Sequence, residues 1–364
     1  MAFAHLHLHT EYSLLDGACR INELIDTAVS QGAASVAITD HGYMYGVPDL
    51  ALACDAVNHN TPEYKTWSHD KAFLEKDRRD ELVEPDPEEN PREHAQYVKD
   101  MAMWDEKGNI DELKPPLVIK PIFGCEVYFT PDETLARDHK PELYHMILLA
   151  KDQEGYVNLM QTVSEAAVQG FYYKPRIDYN LLRQHTEGLI CLSACLSGDL
   201  PKLLLQGRTE DAKKYALEMQ ALFGKGNYFV EIMDHGLPEE RMVLPRLKAL
   251  ARETGIPLVA TNDCHYLYRE DAAAQEVLMC IQTGKTLQDE TRMRMETEEL
   301  YVKSEAEMLS LFADCPQAVH QAGEIAARCQ VTFEFGKLHL PRFPIETGET
   351  ALEMLTRLCR EGLK

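Results

Sequence analysis

The chain has 364 residues, enough for one large α/β domain with an appendage or for two ordinary domains. Its net charge of −23 argues against a domain that grips nucleic acid unaided, unless cations bound at a site supply positive charge there. No apolar run approaches the roughly 20 residues that span a bilayer, and the first residues carry no basic stretch followed by an apolar one. We therefore expect a cytoplasmic protein without membrane contact.

The first predicted elements alternate between strand and helix. Residues 3–9 and 35–39 are strand-like, 20–31 has helical spacing with Gly32 as its stop, and a further helix runs from Val47 towards Val57. Residues 58–116 break this alternation, because acidic side chains outnumber basic ones there and prolines recur. We expect an acidic insertion, mostly a solvated loop and helical around 92–104.

After the insertion the alternation returns. Strands are predicted at 117–129, 144–150, 189–193, 228–233 and 257–260, and helices at 153–168, 209–223 and 238–254. Short apolar strands between amphipathic helices indicate a mainly parallel sheet, and about seven such units favour closure into a barrel. From 286 the pattern changes to polar turns and helices at 304–312, 316–328 and 350–363. We therefore predict one domain at 1–285 and the start of a second, truncated one at 286–364.

The ten cysteines are scattered along the chain without a Cys-x-x-Cys pair, and several lie in apolar, strand-like runs. In a cytoplasmic protein this pattern predicts reduced thiols in the core. One of them remains available as a metal ligand.

Nearly all candidate metal ligands lie at the ends of the predicted strands or in the loops that follow them. They are His7, His9, Asp16, Asp40, His41, Glu126, His145, Cys195, Asp263 and His265. In a parallel α/β barrel these positions converge on one face, where active sites form. Taken singly, each has an ordinary explanation: a His-x-His pair can be packing, and a lone cysteine is usually a buried thiol. Their joint occurrence at successive strand ends predicts one metal site.

Imidazoles, carboxylates and a thiolate together favour Zn²⁺, and a His/carboxylate set also accepts Mn²⁺ or Fe²⁺. Several metals about 3.5–4 Å apart can polarise a phosphate and lower the pKa of water towards neutrality. The residues therefore predict hydrolysis of a phosphate ester.

Six sequence motifs resemble the PHP (polymerase and histidinol phosphatase) superfamily, and most closely the PHP domains of the bacterial replicative DNA polymerase III alpha subunits. They are HLHTEYSLLDG at 7–17, ITDHG at 38–42, GYVNL at 155–159, GFYYKPRID at 170–178, EGLICLSACL at 187–196 and TNDCH at 261–265. The resemblance covers about 1–57 and 117–364, and the long segment 58–116 departs from it.

The resemblance implies a distorted (β/α)7 barrel with three divalent metal ions. His7, His9, Glu126 and Asp263 would hold the first ion; Glu126, His145 and Cys195 the second; Asp16, His41 and His265 the third. Because all nine positions carry a side chain that can bind metal, the resemblance implies an active 3′–5′ exonuclease that removes misincorporated nucleotides. Residues 286–364 would begin the polymerase palm region.

The resemblance also assigns roles around the metals. Asp40 would orient His41, and both are taken as catalytic. Tyr173, Lys174 and Arg176 are expected to contact a DNA 3′ end, since single strands bind through cations and aromatic faces. The expected partners are the rest of a polymerase chain and, through it, other replisome subunits such as the sliding clamp.

Two other functions remain open at this point. A small-molecule phosphatase of the histidinol-phosphatase type would share the metal cluster, and the acidity of the chain mildly favours it. A non-catalytic scaffold would use the metals only to stabilise the barrel. The motifs at 170–196 and the extension beyond the barrel favour the nuclease.

Overall fold

A curled β-sheet with helices packed against it forms the centre of the fold. The computed structural model describes residues 2–76, 83–131, 135–137, 142–338, 340–341, 343–345 and 347–363. The strands are β1 (Ser35–Ile38), β2 (Lys120–Phe129), β3 (Tyr144–Ala150), β4 (Arg176–Ile177), β5 (Leu189–Leu192), β6 (Tyr228–Ile232) and β7 (Leu258–Ala260). The α-helices are α1 (Ile21–Ser30), α2 (Val47–His59), α3 (Pro62–Lys76), α4 (Pro91–Lys107), α5 (Gln153–Val168), α6 (Tyr179–Gln184), α7 (Asp199–Leu205), α8 (Thr209–Phe223), α9 (Pro238–Thr254), α10 (Ala272–Thr283), α11 (Glu305–Leu311), α12 (Pro316–Arg328) and α13 (Ala351–Gly362).

The sheet closes on itself through the N-terminal segment. The strands follow one another in the order β1-β2-β3-β5-β6-β7, and β4 pairs with β2 beside this path. Residues 5–9 do not form the regular strand that the sequence predicts, but they run between the two ends of this path. On one side Ala37 N donates to His5 O, and on the other His9 N donates to Cys264 O, at 3.0 and 2.7 Å. The predicted distorted α/β barrel is therefore confirmed.

The expected mainly parallel sheet is confirmed, with one strand, β3, running against the others. β3 pairs antiparallel with both β2 and β5, whereas β1–β2, β5–β6 and β6–β7 are parallel. Because β3 is reversed, its first residues lie at the end of the barrel where the parallel strands finish. His145 is the second residue of β3 and reaches the same face as the predicted ligands that follow β1, β5 and β7.

Helix α5 shows why the predicted helices form where they do. Asp152 caps its first turn by accepting a hydrogen bond from Gly155 N at 3.0 Å. Leu159, Val163 and Ala166 recur at helical spacing on its buried face. The backbone of Gly188 lies so close to α5 that a Cβ on Gly155 would stand 1.8 Å from Gly188 O. The helix can therefore pack here only with glycine.

The insertion is mostly folded, so the expectation that most of it is a solvated loop is wrong, whereas the helix predicted around 92–104 is confirmed as α4. Residues 83–90 are a largely exposed stretch without helix or strand, and 77–82 lie outside the described residues. Helices α3 and α4 and a short 3₁₀ turn at Ile110–Leu113 enclose a small apolar core around Trp67, whose indole N–H donates to Ile110 O at 2.7 Å. At its base, Asn58 hydrogen-bonds the backbone of Val118 and Ile119. This one side chain ties the two ends of the insertion together.

The structure divides into two compact units, Met1–Val331 and Thr332–Lys364. In the second unit, Thr350 and Glu353 form a capping box at the start of α13, and Leu352 and Leu355 on this helix are exposed. The boundary predicted between 285 and 286, with its palm region beyond, stays a prediction. None of the described helices has the length and apolar character needed to cross a membrane.

Candidate metal centre

The nine side chains predicted as metal ligands meet at one end of the barrel. His7 and His9 come from the N-terminal segment and are fully buried. The other seven line a cavity of about 460 Å³ above them: Asp16, His41, Glu126, His145, Cys195, Asp263 and His265. The ring closure and the reversal of β3 bring together residues that are up to 258 positions apart in the chain, from 7 to 265.

The first group surrounds a point between His7 and Asp263. His7 Nε2 lies 3.1 Å from both Glu126 Oε2 and Asp263 Oδ1, and His9 Nε2 lies 3.1 Å from Asp263 Oδ1 and 3.9 Å from Glu126 Oε2. Donors about 2.0–2.1 Å from a tetrahedral Zn²⁺ stand about 3.4 Å from one another. Although they lie 3.1 Å apart, His9 Nε2 and Asp263 Oδ1 are buried and make no hydrogen bond of acceptable geometry among the described residues. The donor set therefore fits a cation.

The second group shares Glu126 with the first. Its other carboxylate oxygen, Oε1, lies 2.9 Å from His145 Nδ1, and Cys195 Sγ lies 4.0 Å from the same nitrogen. One carboxylate thus faces two groups of donors, which is the arrangement of a ligand that bridges two ions.

The third group contains Asp16, His41 and His265. His41 Nε2 lies 3.1 Å from Asp16 Oδ1, and His265 Nε2 lies 3.8 Å from Asp16 Oδ2. The ring nitrogens of His9, His41 and His265 also come within 4.8 Å of one another. His9 therefore stands between the first and third groups.

Asp40 acts on His9 rather than on the side chain of His41. Its Oδ1 accepts from Ser13 Oγ at 2.7 Å and from Thr10 N at 2.7 Å. Because the Ser13 hydroxyl gives its proton to Asp40, it must accept one from His9 Nδ1, 3.1 Å away. These linked hydrogen bonds leave the lone pair of the His9 ring on Nε2, the atom that faces the first group.

Glu231 is a functional candidate that the sequence analysis missed. It is fully buried in β6, and its Oε1 accepts from His7 Nδ1 at 2.9 Å and from Thr261 Oγ1 at 2.5 Å. The bond fixes the His7 ring so that Nε2 points at Glu126 and Asp263. A glutamate in the middle of the apolar strand YFVEI was the available signal, since a carboxylate is rarely buried without a partner.

The titratable groups of the site strongly shift one another's pKa. Burial together with the neighbouring imidazoles of His41 and His265 lowers the pKa of His9 to about 3, so this ring is neutral and able to bind metal. For Glu126 and Asp263, burial alone would raise the pKa, but the surrounding histidines hold both well below the usual range. In return, and despite burial, neighbouring carboxylates raise the pKa of His7 and raise that of His41 to about 10, so these histidines themselves compensate the buried negative charge.

The backbone at Asp263 is strained. Its φ of 41° lies in the left-handed region that side chains other than glycine rarely adopt. In this conformation the carbonyl oxygen of Asp263 accepts from His265 Nδ1 at 2.7 Å, which leaves Nε2 of His265 to face Asp16. Strain of this kind concentrates at functional sites.

The three predicted substrate contacts have different surroundings. Lys174 lines the cavity, and its ammonium donates to Tyr128 OH at 3.2 Å. Tyr173 is 72% exposed at the tip of a tight turn, with a φ of 62°. Arg176 is buried, and its guanidinium donates to the carbonyl oxygens of Gly170, Leu135 and Ala136. These contacts are typical of a residue that holds neighbouring backbone segments in place.

Comparison with known proteins gives the same family as the motifs. The PHP domain model matches residues 5–235. DNA polymerase III subunit alpha from Treponema pallidum is 40% identical over all of this chain and 26% of its own length. The corresponding subunit from Borreliella burgdorferi is 36% identical over all of this chain and 27% of its own length. The subunit from Deinococcus radiodurans is 36% identical over 97% of this chain and 23% of its own length. The chain thus spans about a quarter of these relatives.

A solved structure assigned as a metal-dependent phosphoesterase from Bifidobacterium adolescentis aligns with 72% of this chain and 87% of its own at 11% identity. Its TM-score of 0.33 is too low to carry an argument. The family model covers most of the barrel, including seven of the nine metal-type side chains, those from His7 to Cys195. The chain belongs to the PHP domain family.

Proposed function

We propose that this chain is the PHP domain of a bacterial replicative DNA polymerase alpha subunit and hydrolyses phosphodiester bonds from the 3′ end of DNA. The observation that carries this proposal is the convergence of five histidines, three carboxylates and one cysteine at one end of the barrel, where seven of the nine line one cavity. The similarity to polymerase subunits supports DNA as the proposed substrate. Such a protein would act in replication in the cytoplasm.

The proposed cofactors are three divalent cations, with Zn²⁺ preferred and Mn²⁺ or Fe²⁺ as alternatives. His7, His9, Glu126 and Asp263 would hold one ion; Glu126, His145 and Cys195 a second; Asp16, His41 and His265 a third. When bound, such ions lower the pKa of water and neutralise charge on a phosphate. They would also supply the positive charge that the acidic chain lacks.

Other side chains would position the substrate. Lys174 is the only lysine or arginine among the described residues that line the cavity, which makes it the proposed phosphate contact. Its ammonium is held 4.9 Å above the Tyr128 ring, beside the ligands His41 and His145. Tyr173 remains the proposed stacking residue, whereas the buried bonds of Arg176 favour a structural role.

We propose different roles for Asp40 and His41. His41 lies at the cavity with Nδ1 2.6 Å from Glu126 Oε1, close enough to exchange a proton with groups at the ions. Asp40 supports the site through Ser13 and His9. We therefore assign Asp40 a positioning role.

The test is hydrolysis of a 5′-labelled single-stranded oligonucleotide with added Zn²⁺ or Mn²⁺, followed on a sequencing gel. We expect stepwise shortening from the 3′ end that disappears in His9→Ala and Asp263→Ala. The control is His320→Ala, an exposed histidine on α12 far along the chain from every proposed ligand. Activity that survives in both site variants would refute the proposal.

A non-catalytic scaffold is the second candidate. The observation that favours it is that the proposed ligands come from six different segments around the barrel, so bound ions would cross-link the ring. This function predicts that a chelator lowers the melting temperature while no oligonucleotide is cut at any metal concentration. Cleavage of small phosphate monoesters without cleavage of DNA would instead indicate a phosphatase.

A further inference from the structure

One wall of the metal-site cavity comes from residues 293–300, which we call the strap. Met293, Met295, Glu296, Thr297 and Leu300 all line the cavity that contains the proposed ligands. The sequence pattern predicts that this stretch lies beyond the barrel, in the second domain. The structure makes it part of the site.

The strap is fixed at both ends. At its start, the guanidinium of Arg292 pairs with Glu276 on α10. At its far end, Thr297 Oγ1 donates to His235 O at 2.9 Å, and His265 N donates to Leu300 O at 2.8 Å. The second of these bonds joins the strap directly to a proposed metal ligand.

Space lies on both sides of the strap. A second cavity of about 480 Å³ separates it from α10, and Met295, Glu296 and Thr297 line this cavity as well as the metal-site cavity. The strap is therefore a thin partition between two open volumes. Unbranched methionine side chains on such a partition have room to adapt to a ligand.

The cavity combines two chemistries. The proposed ligands and Lys174 suit a phosphate, whereas Leu15, Leu196, Leu237, Leu300 and the two strap methionines offer an apolar surface that a phosphate cannot use. A volume of about 460 Å³ is in the range of small-molecule sites. A ligand that uses both parts carries a phosphate and a flat apolar ring, and a thioether packs well against an aromatic ring.

We propose that Met293 and Met295 contact the base of the terminal nucleotide, so that the site selects nucleotides over sugar phosphates. This inference rests on the proposed hydrolysis of DNA and specifies how its substrate is recognised. The strap thereby makes residues beyond the barrel a determinant of specificity.

The test is calorimetric titration of the Zn²⁺-loaded chain with thymidine 5′-monophosphate and with 2-deoxyribose 5-phosphate, which lacks the base. We expect the double variant Met293→Ala/Met295→Ala to bind the nucleotide about tenfold more weakly, and to bind the sugar phosphate with an affinity within about twofold of the parent. The double variant Met293→Leu/Met295→Leu, which keeps the apolar surface, should retain most of the nucleotide affinity. Met242→Ala on α9 is the control, since Met242 is exposed to a similar degree, 53% against 49% for Met293, and is not part of this cavity.

The inference would be overturned if the alanine double variant bound both ligands equally more weakly, or if its affinity for both were unchanged. It would also be overturned if the parent chain failed to bind the nucleotide at millimolar concentration. Cleavage of the labelled oligonucleotide is scored separately. If the nucleotide binds with the expected methionine dependence but no DNA is cut, the proposed hydrolysis fails and the recognition stands. If DNA is cut but the variants keep their ligand preference, only the recognition fails.

Discussion

Replacing Glu231 by glutamine tests whether a carboxylate outside the predicted ligand set controls metal affinity. Glu231 Oε1 accepts from His7 Nδ1 at 2.9 Å in a fully buried position. Glutamine keeps the shape and an acceptor oxygen but removes the charge. His7 would keep its orientation and lose the negative partner that makes its ring a stronger donor to metal.

The expected loss follows from the change in one hydrogen bond. A bond to a charged group contributes about 1.5–3 kcal/mol and a neutral one about 0.5–1.5 kcal/mol, so the substitution removes about 1–1.5 kcal/mol. This corresponds to about tenfold weaker binding of the ion held by His7. Glu231→Ala removes the bond altogether and should weaken binding further, towards about a hundredfold.

Metal affinity would be measured at pH 7 by competition with a chromophoric chelator, and folding by circular dichroism. Glu240→Gln is a matched control, because Glu240 is also buried and pairs with a histidine, His235, at 2.6 Å. His235 is not a proposed ligand, so this variant should lose stability without losing metal. If folded Glu231→Gln binds metal as tightly as the parent, the assigned role of Glu231 is wrong.

Three further predictions concern stability. Gly155→Ala should lower the free energy of unfolding by about 3 kcal/mol in urea denaturation, because its Cβ would meet Gly188 O, although alanine normally stabilises a helix. Burial raises the pKa of Asp199 to about 7, so its native carboxyl stays protonated while the unfolded one ionises near pH 4. Stability should therefore fall by up to about 4 kcal/mol as the pH rises from about 4 to 7, and urea denaturation across this range should show a smaller fall in Asp199→Asn. Tyr173→Gly should leave the free energy of unfolding in urea within about 1 kcal/mol of the parent, because relief of the positive φ offsets the entropy of glycine. The same variant should bind an oligonucleotide more weakly in a fluorescence anisotropy assay.

Each of these predictions has a clear contrary result. A Gly155→Ala variant as stable as the parent would mean that α5 can move away from Gly188. An unchanged pH dependence in Asp199→Asn would place the titrating group elsewhere. If Tyr173→Gly binds DNA as tightly as the parent, the proposed stacking role of Tyr173 is wrong.

The local pattern of the sequence was sufficient to predict most of the elements around the site. Helices α5, α8, α9 and α12 begin and end where their periodicity predicts, because each combines a buried stripe with a start or stop residue. The candidate metal ligands were proposed from the same pattern, since most of them stand at or near strand ends, and they stay a prediction. Their pairing into groups was implied by the family resemblance, and the structure brings the side chains of each group together.

Contacts between segments distant in the chain could not be predicted from local sequence patterns. The reversal of β3 and the closure of the barrel through residues 5–9 depend on which edges meet in space. The partnership of Glu231 with His7 joins residues 224 positions apart, and the link from Asp40 through Ser13 to His9 depends on a hydroxyl between two loops. The sequence by itself determined most of the elements and the chemical types of the candidate ligands, because these follow from local periodicity and composition. Only the tertiary structure decided which carboxylate orients which histidine and that the strap lines the cavity, because hydrogen bonds and cavity walls form between segments that no local pattern connects.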